Sequence, residues 1–189
     1  MQIPKLIKPT LVLLLLSHLT GCLATSDGVK RNGEEWIGVP VAAISHTTNE
    51  VGGVIVNGSP VSISLSPTGG IMMPKVWRPD FKVTIEWDTI YVKGLISPPM
   101  VLSRAQYKEL DAYRGRIKAR TLRHSITIPV PEYDYYHDFC QLTVHLLTCG
   151  QAKVTTSCIY PTKKNYPISV PLKGLTEPPE CRPTIPKGM

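Results

Sequence analysis

Val54-Ile55-Val56-Asn57-Gly58-Ser59-Pro60-Val61-Ser62-Ile63-Ser64-Leu65 decides the fold class. A short apolar run enters Asn57-Gly58, a dipeptide that accepts the two positive φ angles of a tight hairpin turn. Beyond it Val61, Ile63 and Leu65 alternate with Ser62 and Ser64, the two-residue period of a half-buried strand. Gly58-Ser59-Pro60 reads as the end of that turn. The same alternation returns where Val83, Ile85 and Trp87 interleave with Lys82, Thr84 and Glu86. It returns again at Ile126, Ile128 and Val130, and at Cys140, Leu142, Val144 and Leu146. Val41 to Ile44 and Val154 to Ile159 add two further candidate strands. Many short strands separated by turn signals predict an all-β domain, a sandwich or open barrel of short antiparallel strands, over residues 39–160.

One segment reads as helix. Ser103 caps it, Gln106 returns the cap, Tyr107 and Leu110 share a face, and Gly115 ends it. From Arg116 charges alternate with Ile117 and Ala119, which predicts a basic strand. Gly52-Gly53 and Gly69-Gly70 read as isolated pairs in loops. Residues 161–189 carry Pro161, Pro167, Pro171, Pro178, Pro179, Pro183 and Pro186. Proline at that density resists helix and central strand alike, so this stretch is expected to be an extended tail pinned at Cys181.

The N-terminus has the parts of a secretory signal: Lys5 and Lys8, then the apolar run Leu11 to Leu16, then small residues. The run is shorter than the roughly 20 apolar residues a membrane span needs. Leu19-Thr20-Gly21-Cys22 resembles a bacterial lipobox. The resemblance implies cleavage between Gly21 and Cys22, with Cys22 lipidated. Attached acyl chains would hold the protein on a membrane, since each buried CH₂ contributes about 0.8 kcal/mol. Asp after the cysteine is the usual inner-membrane retention signal, so Leu23 implies the outer membrane, facing the periplasm. Residues 22–38 are polar and read as a lipidated, flexible stalk.

The chain of 189 residues has a formal net charge of +7. Loss of residues 1–21 would remove two of the lysines and leave a mildly basic domain. Much of that charge lies between Arg114 and Arg123, a stretch suited to an acidic partner, to anionic headgroups or to a solvated strand edge. No nucleic-acid motif is present, and a nucleic-acid partner is not expected.

With Cys22 acylated, Cys140, Cys149, Cys158 and Cys181 remain. An even number in an oxidising compartment reads as two disulfides. Cys140 and Cys158 are equidistant from Cys149. A hairpin turning at Cys149 would set them opposite one another and leave Cys149 for Cys181, one of three possible pairings. Metal is the rival use of these thiols, but His137, Cys140, His145 and Cys149 match no zinc spacing. No metal or cofactor is expected.

No nucleophile elbow and no phosphate-binding glycine loop occurs, and no catalytic residues are assigned. His145 reads as a sheet-surface residue, and His137-Asp138 is a dyad without a nucleophile. Tyr133, Tyr135 and Tyr136 crowd beside His137 and Asp138 between two strands. Tyrosine combines large contact area with a polar tip, so these five residues are the candidate partner-binding loop, although rings that cap a sandwich would look the same. Trp77-Arg78-Pro79 reads as a structural corner whose Arg78 stacks on Trp77 or another ring.

Val41-Ala42-Ala43-Ile44-Ser45-His46-Thr47-Thr48, Val54 to Gly58, Gly69-Gly70, Pro74 to Pro79, Val83 to Trp87, Ile128 to Tyr133 and Leu142 to Leu147 together resemble a known family. It is a group of small proteobacterial lipoproteins with a domain of unassigned function, often encoded beside phospholipase effectors of the type VI secretion system. The likeness covers roughly residues 40–168, and Trp77-Arg78-Pro79 is its most specific part. The chain departs from it at Met72-Met73, where a cysteine pair is common, and at Asp80, where glycine is common. The resemblance implies an immunity protein that binds a secreted phospholipase effector and is not itself an enzyme. The competing readings are a structural or accessory lipoprotein of the envelope or secretion machinery, and a hydrolase.

Overall fold

The structure, a computed structural model, describes residues 28–95 and 106–183. Gly21, Cys22, the Ser103 cap and residues 184–189 lie outside the described residues.

The order of elements is β1 (Val29–Arg31), β2 (Glu34–Ser45), β3 (Glu50–Val56), β4 (Ser59–Pro60), β5 (Ser64–Pro74), β6 (Lys82–Ile90), α1 (Gln106–Ala119), β7 (Thr121–Pro129), β8 (Leu142–Leu146) and β9 (Ala152–Thr155). They form two sheets, and the all-β expectation holds. One sheet is β4-β3-β6-β7, antiparallel throughout. The other is built on the long strand β2. Trp36 pairs with both Val29 and Pro74, and Val41 with both Gly69 and Leu142. Strand β5 therefore holds one edge of β2, while β1 and β8 share the other. Strand β8 runs parallel to β2 and carries β9 on its far side.

Alternation dictates what meets between the sheets. Ile37, Val39, Val41 and Ala43 of β2, with Leu142, Val144 and Leu146 of β8, face Val54, Val56, Val83, Ile85 and Trp87 of the other sheet in one buried cluster. Asn57 and Gly58 both take positive φ, 47° and 83°, as the hairpin requires. The β8–β9 hairpin pairs Thr143 with Thr155 and Leu146 with Ala152. Continued outward, that register sets Cys140 opposite Cys158, and they are joined with Cα atoms 4.8 Å apart. Cys149 sits in the turn at φ 58° and is joined to Cys181. The pairing expected from the spacing is the pairing in the structure.

Several expectations are corrected. Positions 29–38 of the expected stalk are sheet, because β1 and the first half of β2 occupy them and turn at Asn32-Gly33. Val61 to Ile63 leave the ladder, and β5 starts at Ser64. Gly69 and Gly70 are strand residues; a Cβ on Gly69 would lie 2.6 Å from Pro60 O, so glycine is needed there for close approach. Gly52 and Gly53 lie in β3 at a register shift opposite β6. The helix does not stop at Gly115. It absorbs the roughly 1 kcal/mol that an interior glycine costs and ends where Thr121 Oγ1 donates to Ile117 O at 2.8 Å. The basic strand expected from Arg116 is therefore helix, and β7 begins at Thr121. Strand β9 ends at Thr155, short of Ile159.

The tail is pinned at Cys181 as expected. It forms a strap that packs back on the β2–β8 face, with Leu175 N donating to His46 O at 2.9 Å and Thr48 N to Leu175 O at 2.9 Å. All five residues of β8 are consequently buried, on both faces.

Candidate functional site

Two regions gather polar and aromatic groups into defined geometry. The first is an exposed turn formed where the segment after β5 meets the segment after β7. Val76 pairs with Asp134 in an isolated antiparallel bridge. Both segments are braced from below. Trp77 Nε1 donates to Val130 O at 3.0 Å, and Tyr133 Oη to Pro74 O at 2.5 Å. Arg78 donates to Glu34 at 2.8 Å and lies 6.0 Å from the Trp36 ring, so Trp36 is the ring it stacks on, not Trp77. Burial pushes the Tyr133 hydroxyl up to about 12, which keeps it a donor.

Asp134 organises the turn itself. Its carboxylate accepts from Tyr136 N at 2.9 Å and from His137 Nδ1 at 2.7 Å. That bond, with the attraction of the opposite charge, raises the His137 pKa and lowers that of Asp134. The dyad is thus His137–Asp134 and not His137–Asp138, and it is exposed with no nucleophile attached. Tyr133 is buried against Phe139, ring centroids 4.9 Å apart, and caps the sandwich. Tyr136 is 71% exposed, Tyr135 37% and Val76 77%. Of the five residues in the candidate loop, Tyr133 is support and Tyr135, Tyr136, His137 and Asp138 are surface. The sequence reading missed Lys75 and Val76. Lys75 Nζ lies 5.2 Å from the Tyr136 centroid and 6.0 Å from that of Tyr135 while it donates to Glu35 at 2.8 Å. The bond to Glu35 is the main reason its pKa is raised.

The second region is a buried seam between β2, β8 and the strap. His46 Nδ1 lies 2.6 Å from Pro171 O, which can only accept, so Nδ1 carries a proton. In the neutral form His46 Nε2 then accepts from His145 Nδ1 at 2.9 Å. His145 Nε2 in turn accepts from the hydroxyl pair of Tyr166 Oη, 2.8 Å away, and Thr155 Oγ1, 3.2 Å away, which are themselves 2.5 Å apart. Burial, with the neighbouring His46 second, drops the His145 pKa to about 3. His145 is thus a fully buried strut, not the sheet-surface residue expected. Nothing in the period of β8 announces the strap that covers it.

Among the described residues, neither His137 beside Asp134 nor His145 beside His46 is shown with an acid, a base and a nucleophile brought together. Cys149, Cys181 and Glu177 offer ligand atoms within 4.8 Å of one another, but the two thiols are spent in a disulfide. Glu177 instead accepts from Cys149 N at 2.6 Å.

Residues 43–154, more than half of the chain, match the model of a family described as Protein of unknown function (DUF3304), and the chain belongs to that family. The match takes in the exposed turn, His46 and His145. No curated protein and no solved structure matches the chain.

Proposed function

We propose that the protein is a periplasm-facing lipoprotein that binds a type VI secretion phospholipase effector and neutralises it. The observation that carries this reading is the braced aromatic turn, in which Val76, Tyr135 and Tyr136 stand exposed on a pedestal of buried rings. Binding energy concentrates in a few aromatic anchors, and anchors already fixed in place lose little entropy on association. An inhibitor needs such a surface and no catalytic group of its own. Protection demands near-complete occupancy, because each free effector turns over many lipids, so an affinity near nanomolar, about −12 kcal/mol, is expected. Lipidation at Cys22 would hold the surface where such a toxin acts.

The contact is tested with a soluble version starting at Leu23, which retains both sheets and the strap. It should silence its cognate phospholipase effector, sought among any lipases encoded beside it, at equimolar amounts. Expressed in the cytoplasm, it should fail to protect cells from periplasmic toxin. Cys22→Ser should leave an unprocessed precursor that takes up no labelled palmitate. Equal labelling of that variant would remove the anchor from the account. A lipase unaffected by excess domain would leave the accessory-lipoprotein reading in its place.

A further inference from the structure

A crevice of about 560 Å³ opens where the end of β6, the end of α1, the β2–β3 turn and the strap converge, sharing no residue with the aromatic turn. Three cations line it: Lys93, Arg120 and Arg182. Both guanidinium groups are held by backbone carbonyls. Arg182 donates to Glu177 O through Nε at 3.1 Å and Nη2 at 2.7 Å, and Arg120 Nη1 donates to Lys93 O at 3.1 Å. Lys93 is exposed and has no ion pair among the described residues. The one acid in the lining is Glu177, which is 4% exposed and turns a carboxylate oxygen inward to Cys149 N. Its other oxygen accepts from Asn49 Nδ2 at 3.5 Å on the crevice wall, so three cations stand against one carboxylate and the lining keeps a net positive charge. Thr48 and Thr176 line the same wall.

Two oriented guanidinium groups and an ammonium are the groups that recognise tetrahedral oxyanions. We propose that this crevice binds a phosphoryl group. The volume is larger than a lone phosphate needs and leaves room for the glycerol of a phospholipid headgroup. The site is rigid because the Cys149–Cys181 disulfide and the bond from Tyr91 Oη to Cys181 O, 3.1 Å, hold the strap wall in place. A phosphoryl site here is independent of effector binding, and each can fail without the other.

The test is titration of the full-length chain with inorganic phosphate, glycerol 3-phosphate and a short-chain phosphatidylglycerol below its micelle concentration, followed by the arginine Nε–H resonances. Saturable shifts at Arg182 and Arg120 are expected, with affinity falling about tenfold in Lys93→Gln, a loss of about 1.4 kcal/mol. Tighter binding of the lipid than of phosphate assigns the site to a headgroup, and equal binding assigns it to free phosphate; either result supports the proposal. Arg182→Gln also removes bonds to the strap, so Lys93→Gln, which breaks no bond within the fold, is the deciding variant. Absence of saturable shifts with all three probes overturns the proposal, as does binding that Lys93→Gln leaves unchanged.

Discussion

His137 and His145 sit in two regions that differ in almost every physical respect. The exposed turn leaves His137 in water beside one carboxylate, so its charged form is favoured. The seam surrounds His145 with another histidine, a tyrosine and a threonine and admits no charge. In the seam each polar group is satisfied inside the protein, and the result is attachment of the strap. In the turn the polar groups only fix backbone, and the large apolar surfaces above them are left without a partner. A buried polar network serves the fold, whereas exposed rings on a fixed base are what the proposed partner contact requires.

The largest effect at neutral pH should come from unfastening the strap. The Cys149–Cys181 bridge closes a sequence separation of 32 residues. Its loss by paired serine substitution should cost about 3–4 kcal/mol on the chain-entropy model. Urea denaturation is the measurement, and the aromatic turn should keep its partner affinity in conditions where the variant remains folded. A variant as stable as the wild type would show that the strap is held by packing alone.

Acidification should separate the two histidines next. The His145 pKa falls from 6.5 unfolded to about 3 folded, so its contribution is complete above pH 6.5 and is lost as pH falls toward 3. Between those limits the unfolded chain binds one more proton at this site, and stability should drop by about 1.4 kcal/mol per pH unit. His137 has the opposite sign. Its raised pKa gives a contribution that is present below 6.5 and disappears as pH rises through the folded value, and solvent screening keeps it small. Imidazole proton shifts read both directly. His145 should stay flat from pH 7 to pH 4, and His137 should titrate above its ordinary value; a His145 resonance that titrates near 6.5 would dissolve the contrast.

The smallest effect on stability should come from the turn. Tyr136→Ala should change stability by less than about 0.5 kcal/mol and weaken partner binding by about 2 kcal/mol, close to thirtyfold. Thermal unfolding and a competition assay check the two halves. A large loss of stability would mean that the ring supports the fold and is not a contact.

The legible parts of the molecule were those governed by local chemistry. Asn57-Gly58 announced its turn because few dipeptides accept two positive φ angles. Val83, Ile85 and Trp87 announced the core face of β6 because water covers the other side in part. The equal spacing of Cys140 and Cys158 about Cys149 announced a hairpin because antiparallel register is symmetric about its turn. What escaped was set at long range. His145 looked like a surface residue because Tyr166, which covers it, arrives from the strap. Gly69 looked like a loop because the chain that crowds it, Pro60, arrives from another strand. At the candidate site the tyrosines were visible as a crowd of rings. Their division into the buried Tyr133 and the exposed Tyr135 and Tyr136 depends on Pro74 and on Val76, which come from the other side of the turn.

The most direct measurement is a titration of the proposed phospholipase effector with the soluble domain, run in parallel with the Tyr136→Ala variant. The account predicts that lipid hydrolysis falls linearly to zero at one molar equivalent of the wild type, and that the variant needs far more protein to reach the same inhibition while unfolding at the same temperature. Full hydrolysis in the presence of a large molar excess of the folded wild-type domain would contradict it.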